Sequence, residues 1–248
     1  MQLYVVKPND TLFLIAKEFG VPLAQLIQAN PQISDPNMID IGQTITIPDL
    51  PEVPEQIRII EAAAIDTIND VILSDWESAM RRVDQIRTAV NDVTPALREA
   101  LVPNNVIFGL NTAVRNVEQN LLQRRAFPAI SQANRITQLI ADALDYFNVI
   151  IPTDLLRLAY FSRQIIVNVE QNDWPEAYQN YRRMINVWER LSPELTPEYQ
   201  EDVDAVNQAL DNLNAAIDRR DYQAAINGAG RILELVNTIA RDFEQLST

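Results

Sequence analysis

The apolar positions of this chain change period near residue 50. Ahead of that point short strand and helix signals alternate. Residues 2–6, Gln-Leu-Tyr-Val-Val, are rich in β-formers, and Pro8-Asn9-Asp10 supplies a turn. Asp10 or Thr11 is placed to cap a helix in which Leu12, Ile15, Ala16 and Phe19 share one face at i, i+3, i+4 and i+7. Gly20 ends that helix in the position that takes a left-handed residue. A second helix is predicted from Pro22 to Ala29, with Leu23, Leu26 and Ile27 apolar, and Asn30-Pro31 stops it. Residues 34–42 read as a turn-rich loop. Gln43 to Ile47 alternates polar and apolar as a second strand, with Ile45 and Ile47 pointing the same way. The predicted order is β-α-α-β. A module this small must bury nearly all of these apolar residues to be stable.

Past residue 50 the period becomes 3.6 and holds to the end. Pro51 and Pro54 mark residues 49–55 as a short stiff linker. Beyond it glycine occurs only at 109, 228 and 230, no strand pattern stands out, and the region reads as all-α. It contains a repeat. Ser74-Asp75-Trp76-Glu77-Ser78-Ala79 matches Asn172-Asp173-Trp174-Pro175-Glu176-Ala177. Arg124-Arg125-Ala126-Phe127 matches Arg219-Arg220-Asp221-Tyr222. Each copy is a polar turn followed by an aromatic that opens a helix and packs back on the preceding one. Five residues before each aromatic stands an apolar residue: Val71, Leu122, Val169 and Ile217. Core faces follow the tryptophans, with Ala79, Met80, Val83 and Ile86 after Trp76 and Ala177, Tyr181, Met184 and Trp188 after Trp174. Ser74 with Glu77, and Asp173 with Glu176, have the spacing of capping boxes.

Four helical hairpins follow from this pattern. The first and third share Asp-Trp, and the second and fourth share Arg-Arg before an aromatic, which points to duplication of a two-hairpin unit. The expected fold is a small βααβ module at 1–48, the linker at 49–55, and two tandem four-helix bundles at 56–150 and 151–248. Thr153 or Asp154 is placed to cap the first helix of the second bundle. The rival arrangement is one continuous solenoid of four hairpins.

Composition removes whole classes of chemistry. The chain has no cysteine and no histidine. Thiol nucleophiles, zinc-thiolate sites, His-dependent triads and His-ligated metals are therefore excluded, and no cofactor is expected. The net charge of −14 speaks against nucleic acid and against anionic membrane surfaces. The 248 residues contain no apolar stretch long enough to span a bilayer, so no membrane insertion is expected. The first strand begins too early to leave room for a leader ahead of it. Synthesis in the cytosol is expected, with assembly onto a spore inside the mother cell as one route to a surface. The two lysines, at 7 and 17, precede the helical region, whose surface is instead rich in Asn and Gln. Such a surface is compatible with packing against other proteins or against itself.

Site chemistry is concentrated at the N-terminus. Tyr4-Val5-Val6-Lys7-Pro8-x-Asp10-Thr11-Leu12 with Ile15-Ala16, then Leu26-Ile27-x-Ala29-Asn30-Pro31, then Asp35-Pro36-Asn37 and Gly42-Gln43-x-Ile45-x-Ile47-Pro48, together resemble a LysM domain. The resemblance implies a βααβ fold that binds N-acetylglucosamine-containing glycans, chiefly peptidoglycan or chitin. It places the sugar in a shallow groove between two loops. Asn9, Asp10, Thr11 and Leu12 stand on one side, and Asn37, Met38, Ile39 and Asp40 on the other. N-acetyl groups need amide and carbonyl partners over a small apolar floor, which these loops can supply. Two positions depart from the family pattern. Asn9 replaces the usual glycine, and Asn tolerates positive φ better than most residues. Asp40-Ile41 replaces the common Tyr-Pro, removing an aromatic that could lie on the sugar. Weaker binding than for a typical member is expected.

In the helical region Glu61, Asp66, Glu118 and Glu170 are the carboxylates a two-acid glycosidase could use, but no recognisable motif surrounds them. A solvated acidic face is the favoured reading. The pairs Arg81-Arg82, Arg124-Arg125, Arg182-Arg183 and Arg219-Arg220 read as partners for helix-surface acids, and the tryptophans as core. The expected function is non-catalytic glycan binding by the N-terminal module, with the helices as scaffold or partner-binding surface, at a cell wall or spore surface. The alternative is a structural, self-assembling protein whose module contacts protein. A carboxylate-only muramidase is the third reading.

Overall fold

A computed structural model describes residues 1–195 and 197–246. Position 196 and the last two positions of the predicted 151–248 span lie outside the described residues. Strand β1 (Gln2–Val5) pairs antiparallel with β2 (Thr44–Ile47), with Tyr4 opposite Ile45 and Leu3 opposite Thr46. Tyr4, Ile45 and Ile47 face inward onto α1 (Leu12–Glu18) and α2 (Leu23–Gln28). Together with Val6, Leu12, Ile15, Ala16 and Leu26 they form one small core. Phe19 closes it edge-on to Tyr4, with ring centroids 5.3 Å apart. Asn30 is fully buried and ties α2 to the sheet. Its amide donates to Leu26 O and Thr46 O, and its Oδ1 accepts from Thr46 N.

Eight further helices follow. The first four are α3 (Glu55–Ile72), α4 (Trp76–Glu99), α5 (Asn104–Leu122) and α6 (Ala126–Leu144). The second four are α7 (Thr153–Glu170), α8 (Trp174–Leu191), α9 (Gln200–Arg219) and α10 (Tyr222–Leu246). Helices α3 to α6 pack in a ring, each on the next and α6 back on α3. Helices α7 to α10 close the same way, and α6 packs against α7 between the rings. Two apolar cores result, one per four-helix bundle, and Val167 of α7 reaches into the first.

All four hairpins turn by one device. Ser74, Arg124, Asn172 and Arg220 each adopt left-handed backbone, with φ between 51° and 60°. The amide of each bonds the carbonyl three residues back: Val71, Leu121, Val169 and Ile217. The amide after each reaches the carbonyl five residues back, at Asp70, Asn120, Asn168 and Ala216. This is the Schellman arrangement, made here without glycine. The next residue begins the following helix. Asp75 and Asp173 accept from Ser78 N and Glu176 N, so both are true N-caps.

The turns correct three sequence expectations. Ser74 is the left-handed residue, and Asp75 is the cap in its place. In the second hairpin the turn sits one residue earlier than the aromatic implies, so Leu121 is buried and Leu122 is exposed. Its counterpart in the fourth hairpin aligns Arg124 with Arg220 and leaves Phe127 one step out of register. At the start of α7 neither Thr153 nor Asp154 caps. Pro152 takes that place, Thr153 Oγ1 donates to Asp145 at 2.6 Å, and Asp154 pairs with Arg157 and Arg190.

The N-terminal module is docked on the helices. Gln25 of α2, 7% exposed, donates from Nε2 to Ala100 O at 2.7 Å and to Tyr146 O at 3.0 Å. The linker is strapped to the α6–α7 connection: Asn148 N donates to Pro51 O at 2.8 Å and Asn148 Nδ2 to Glu52 Oε1 at 3.1 Å. Module, linker and bundles enclose an open cleft of about 1050 Å³ between Phe19, Pro22, Leu50, Tyr146 and Arg190.

Candidate glycan-binding site

The sheet brings the two predicted loops together. Past β1, Val6 N donates to Gln43 O and Gly42 N donates to Val6 O, both at 2.9 Å. The chain therefore leaves β1 and enters β2 at one end of the sheet, and residues 7–11 and 35–42 emerge side by side. Asn9 adopts φ 72°, the left-handed turn that the Pro-Asn-Asp stretch needs. Thr11 is the cap of α1, its Oγ1 accepting from Leu14 N at 3.1 Å.

Asp10 has a different task. Its Oδ2 accepts from Lys7 N at 2.7 Å and from the Tyr4 hydroxyl at 2.8 Å, which locks the loop onto β1. The Lys7 amide and then the Tyr4 hydroxyl hold its carboxyl below the usual range. The same bond, with burial behind it, pushes the Tyr4 phenol up to about 12. On the other side Asn37 is held by Asp35: its amide and its Nδ2 donate to Asp35 Oδ1 at 2.9 and 3.1 Å. Asp40 N donates to Gln43 Oε1, and Met38 N to Asp35 O.

Of the eight predicted residues, Asn9, Thr11, Asn37, Met38 and Asp40 are exposed, and Asp10 and Ile39 are half-buried. Leu12 differs. At 1% exposure its side chain belongs to the module core, so it offers the groove backbone only. The solvent-facing apolar surface beside the loops comes instead from Phe13, 62% exposed, with Met38 and Ile41 across from it. Sequence reasoning passed over Phe13 because it lies off the apolar face of α1, which is the signal that would have found it.

The groove and the docking surface use opposite ends of the module. The loops flank the N-terminal end of α1, whereas Ala16, Lys17, Phe19 and Gly20 at its C-terminal end line the cleft toward the helices. The helical carboxylates are committed to partners. Glu118 pairs with Arg87, Asp66 with Arg82, and Glu170 accepts from Tyr222. Glu61 of α3 is half-buried near Arg163 of α7, where burial pushes its carboxyl up and the Arg163 charge opposes the rise. Trp174 and Trp188 are buried core. Among the described residues no group of three or more acidic side chains could hold a metal, and no helix is long and apolar enough to cross a membrane.

Three relatives match parts of this chain. The secreted LysM effector ECP6 of Passalora fulva is 32% identical over 97 residues, 38% of this chain and 40% of that protein. The N-acetylmuramoyl-L-alanine amidase XlyA of Bacillus subtilis (strain 168) is 50% identical over 56 residues, 22% of this chain and 18% of that protein. The endolysin of Bacillus phage PZA is 50% identical over 44 residues, 18% of this chain and 17% of that protein. The chain thus spans well under half the length of each. No solved structure matches it. Residues 4–48 match the family model of the LysM domain and nothing beyond them matches any family: the chain carries a LysM domain ahead of a helical region without a family match.

Proposed function

We propose that the chain is a non-catalytic binder of N-acetylglucosamine-containing glycan, peptidoglycan or chitin, acting at a cell wall or spore surface. The glycan lies between Asn9–Thr11 and Asn37–Asp40, flanked by Phe13 and Met38. The helices serve as scaffold, in units of 56–150 and 151–248 joined to the module 1–48 by the linker 49–55. One observation carries this reading. The LysM domain docks through α2 and the C-terminal end of α1, so its paired loops face solvent. Within α2 it is Gln25 that is buried against the helices, while Ala24 and Gln28 stay exposed.

Cosedimentation with purified peptidoglycan and with chitin tests it. Asn37→Ala removes the anchor to Asp35, and Met38→Ala removes apolar floor. Each should lower retention several-fold, about 1 kcal/mol, while helical circular dichroism stays unchanged. Absent retention on both polymers, or retention indifferent to both changes, would sink the proposal.

A further inference from the structure

Consecutive helices reverse direction at each connection, so the four hairpin turns share one end of the helical body, while a fifth turn of the same kind, at Leu101, lies at the other end. The LysM domain occupies the other end, at the α4–α5 and α6–α7 connections that carry Ala100 and Tyr146. Tyr222 Oη donates to Glu170 at 2.8 Å and joins the fourth turn to the third.

The duplication supplies an internal control for this far end. Aligned on the left-handed residues, Ile72, Leu73 and Leu122 of the first bundle correspond to Glu170, Gln171 and Asp218 of the second. The second bundle ends in polar groups, as a solvated tip should. The first ends in three apolar side chains exposed by 65%, 77% and 71%. The arginine pairs do not follow that division, since Arg219 and Arg220, the second-bundle counterparts of Arg124 and Arg125, also form no ion pair among the described residues. Arg81, Arg82 and Arg183 lie within bonding distance of acids on their own or a neighbouring helix. Arg124 and Arg125, beside Leu122, are exposed and reach no acid among the described residues. Across the tip, the exposed α3–α4 turn carries Asp75, which caps α4, and Glu77, which pairs with Arg81.

We propose that this end binds the same end of a second copy, related by a two-fold axis. That operation sets the α3–α4 turn of one copy against the α5–α6 turn of the other. Ile72 and Leu73 then meet the second copy's Leu122, and Asp75 and Glu77 meet its Arg124 and Arg125. Each copy donates and receives the same contacts, so the surface is complementary to itself in both apolar placement and charge. The four helix ends of the first bundle, at about 10 Å spacing, offer roughly 400 Å² per copy, which places the contact among weak, concentration-dependent interfaces. The apolar centre, the arginine rim and the absence of lysine match interface composition. The two LysM domains then face outward at opposite ends of the dimer. Each is separated from the junction by the length of a bundle, about 30 Å for 20 residues of helix.

Sedimentation velocity from about 1 to about 200 µM tests this independently of any glycan. The unaltered chain should pass from monomer to dimer as concentration rises. Leu73→Glu with Leu122→Glu should weaken dimerisation at least about tenfold, and Arg124→Glu with Arg125→Glu should weaken it several-fold. Leu3→Glu, an equally exposed apolar site on the outer face of the LysM sheet, should change nothing. A monomer at every concentration overturns the proposal. So does a dimer that both tip variants leave intact, or one that only Leu3→Glu disrupts.

Discussion

Replacing Gln25 by alanine should free the LysM domain from the bundles without unfolding either. The side chain makes two hydrogen bonds across the interface, to Ala100 O and Tyr146 O, and none to its own module. Each bond is worth about 0.5–1.5 kcal/mol net, and a carbonyl left dry costs as much again. Tyr146 lines the open cleft, where water can reach its carbonyl, whereas Ala100 O is buried, so a total near 2 kcal/mol is the working figure. That shifts the docking equilibrium about thirtyfold toward the open form. The amide of Asn148 reports it, because its bond to Pro51 O exists only while the linker is strapped down. Hydrogen exchange at Asn148 should accelerate about thirtyfold. Amides in the core of α2 and along α6 should keep their rates, and the LysM signals in relaxation experiments should show faster tumbling. Glycan retention should be unchanged, since the groove lies at the other end of α1. Unaltered exchange at Asn148, with the module still tumbling as one body with the helices, would refute the view that Gln25 holds the two together.

Two further outcomes are expected. Leu121→Ala should cost about 2–4 kcal/mol and Leu122→Ala less than about 0.5, read from urea unfolding, because only Leu121 is core. Reversal of that order would mean that the second turn is out of register. Glu61→Gln should flatten the pH dependence of stability. Burial raises the folded-state pKa of Glu61 above its unfolded value, so the native state holds this proton more tightly. Stability is then highest below the ordinary carboxylate range and falls as pH rises toward the folded pKa, where the half-buried carboxylate must ionise. The glutamine variant has no such loss, and its melting temperature should overtake that of the unaltered chain as pH rises through that window. Parallel curves at all pH values would exclude Glu61 as the source.

Much of this was legible in the residues, and the failures have physical causes. The LysM elements were read within a residue or two because each is punctuated: Thr11 caps, Gly20 and Pro31 terminate, and Ile45 and Ile47 alternate. The closed rings of helices followed from apolar period and repeat spacing. The aromatic residues misled the reading inside the turns. Trp76, Trp174 and Tyr222 open their helices, but Phe127 sits one position into α6, and aligning on it moved the core from Leu121 to Leu122. Left-handed backbone decides that register, and Arg124 or Ser74 gives no compositional sign of it where glycine would. Leu12 is contiguous in sequence with the loop residues and so groups with the groove, while burial is decided by the face of α1 on which each residue falls. Gln25 was invisible because its partners lie 75 and 121 residues away. No local pattern marks one glutamine among many as the one that crosses between units.

The shared end of the four turns also governs how such a body changes size. Every hairpin starts and finishes on the side of the LysM domain, so each added pair of helices widens the body by a rank and leaves its height unchanged. Height is set by helix length alone, and the eight helices hold it between 18 and 25 residues. A second two-hairpin bundle beside the first therefore adds girth without extending reach. The distance from the LysM domain to the far end is set by one two-hairpin unit, whatever stands beside it.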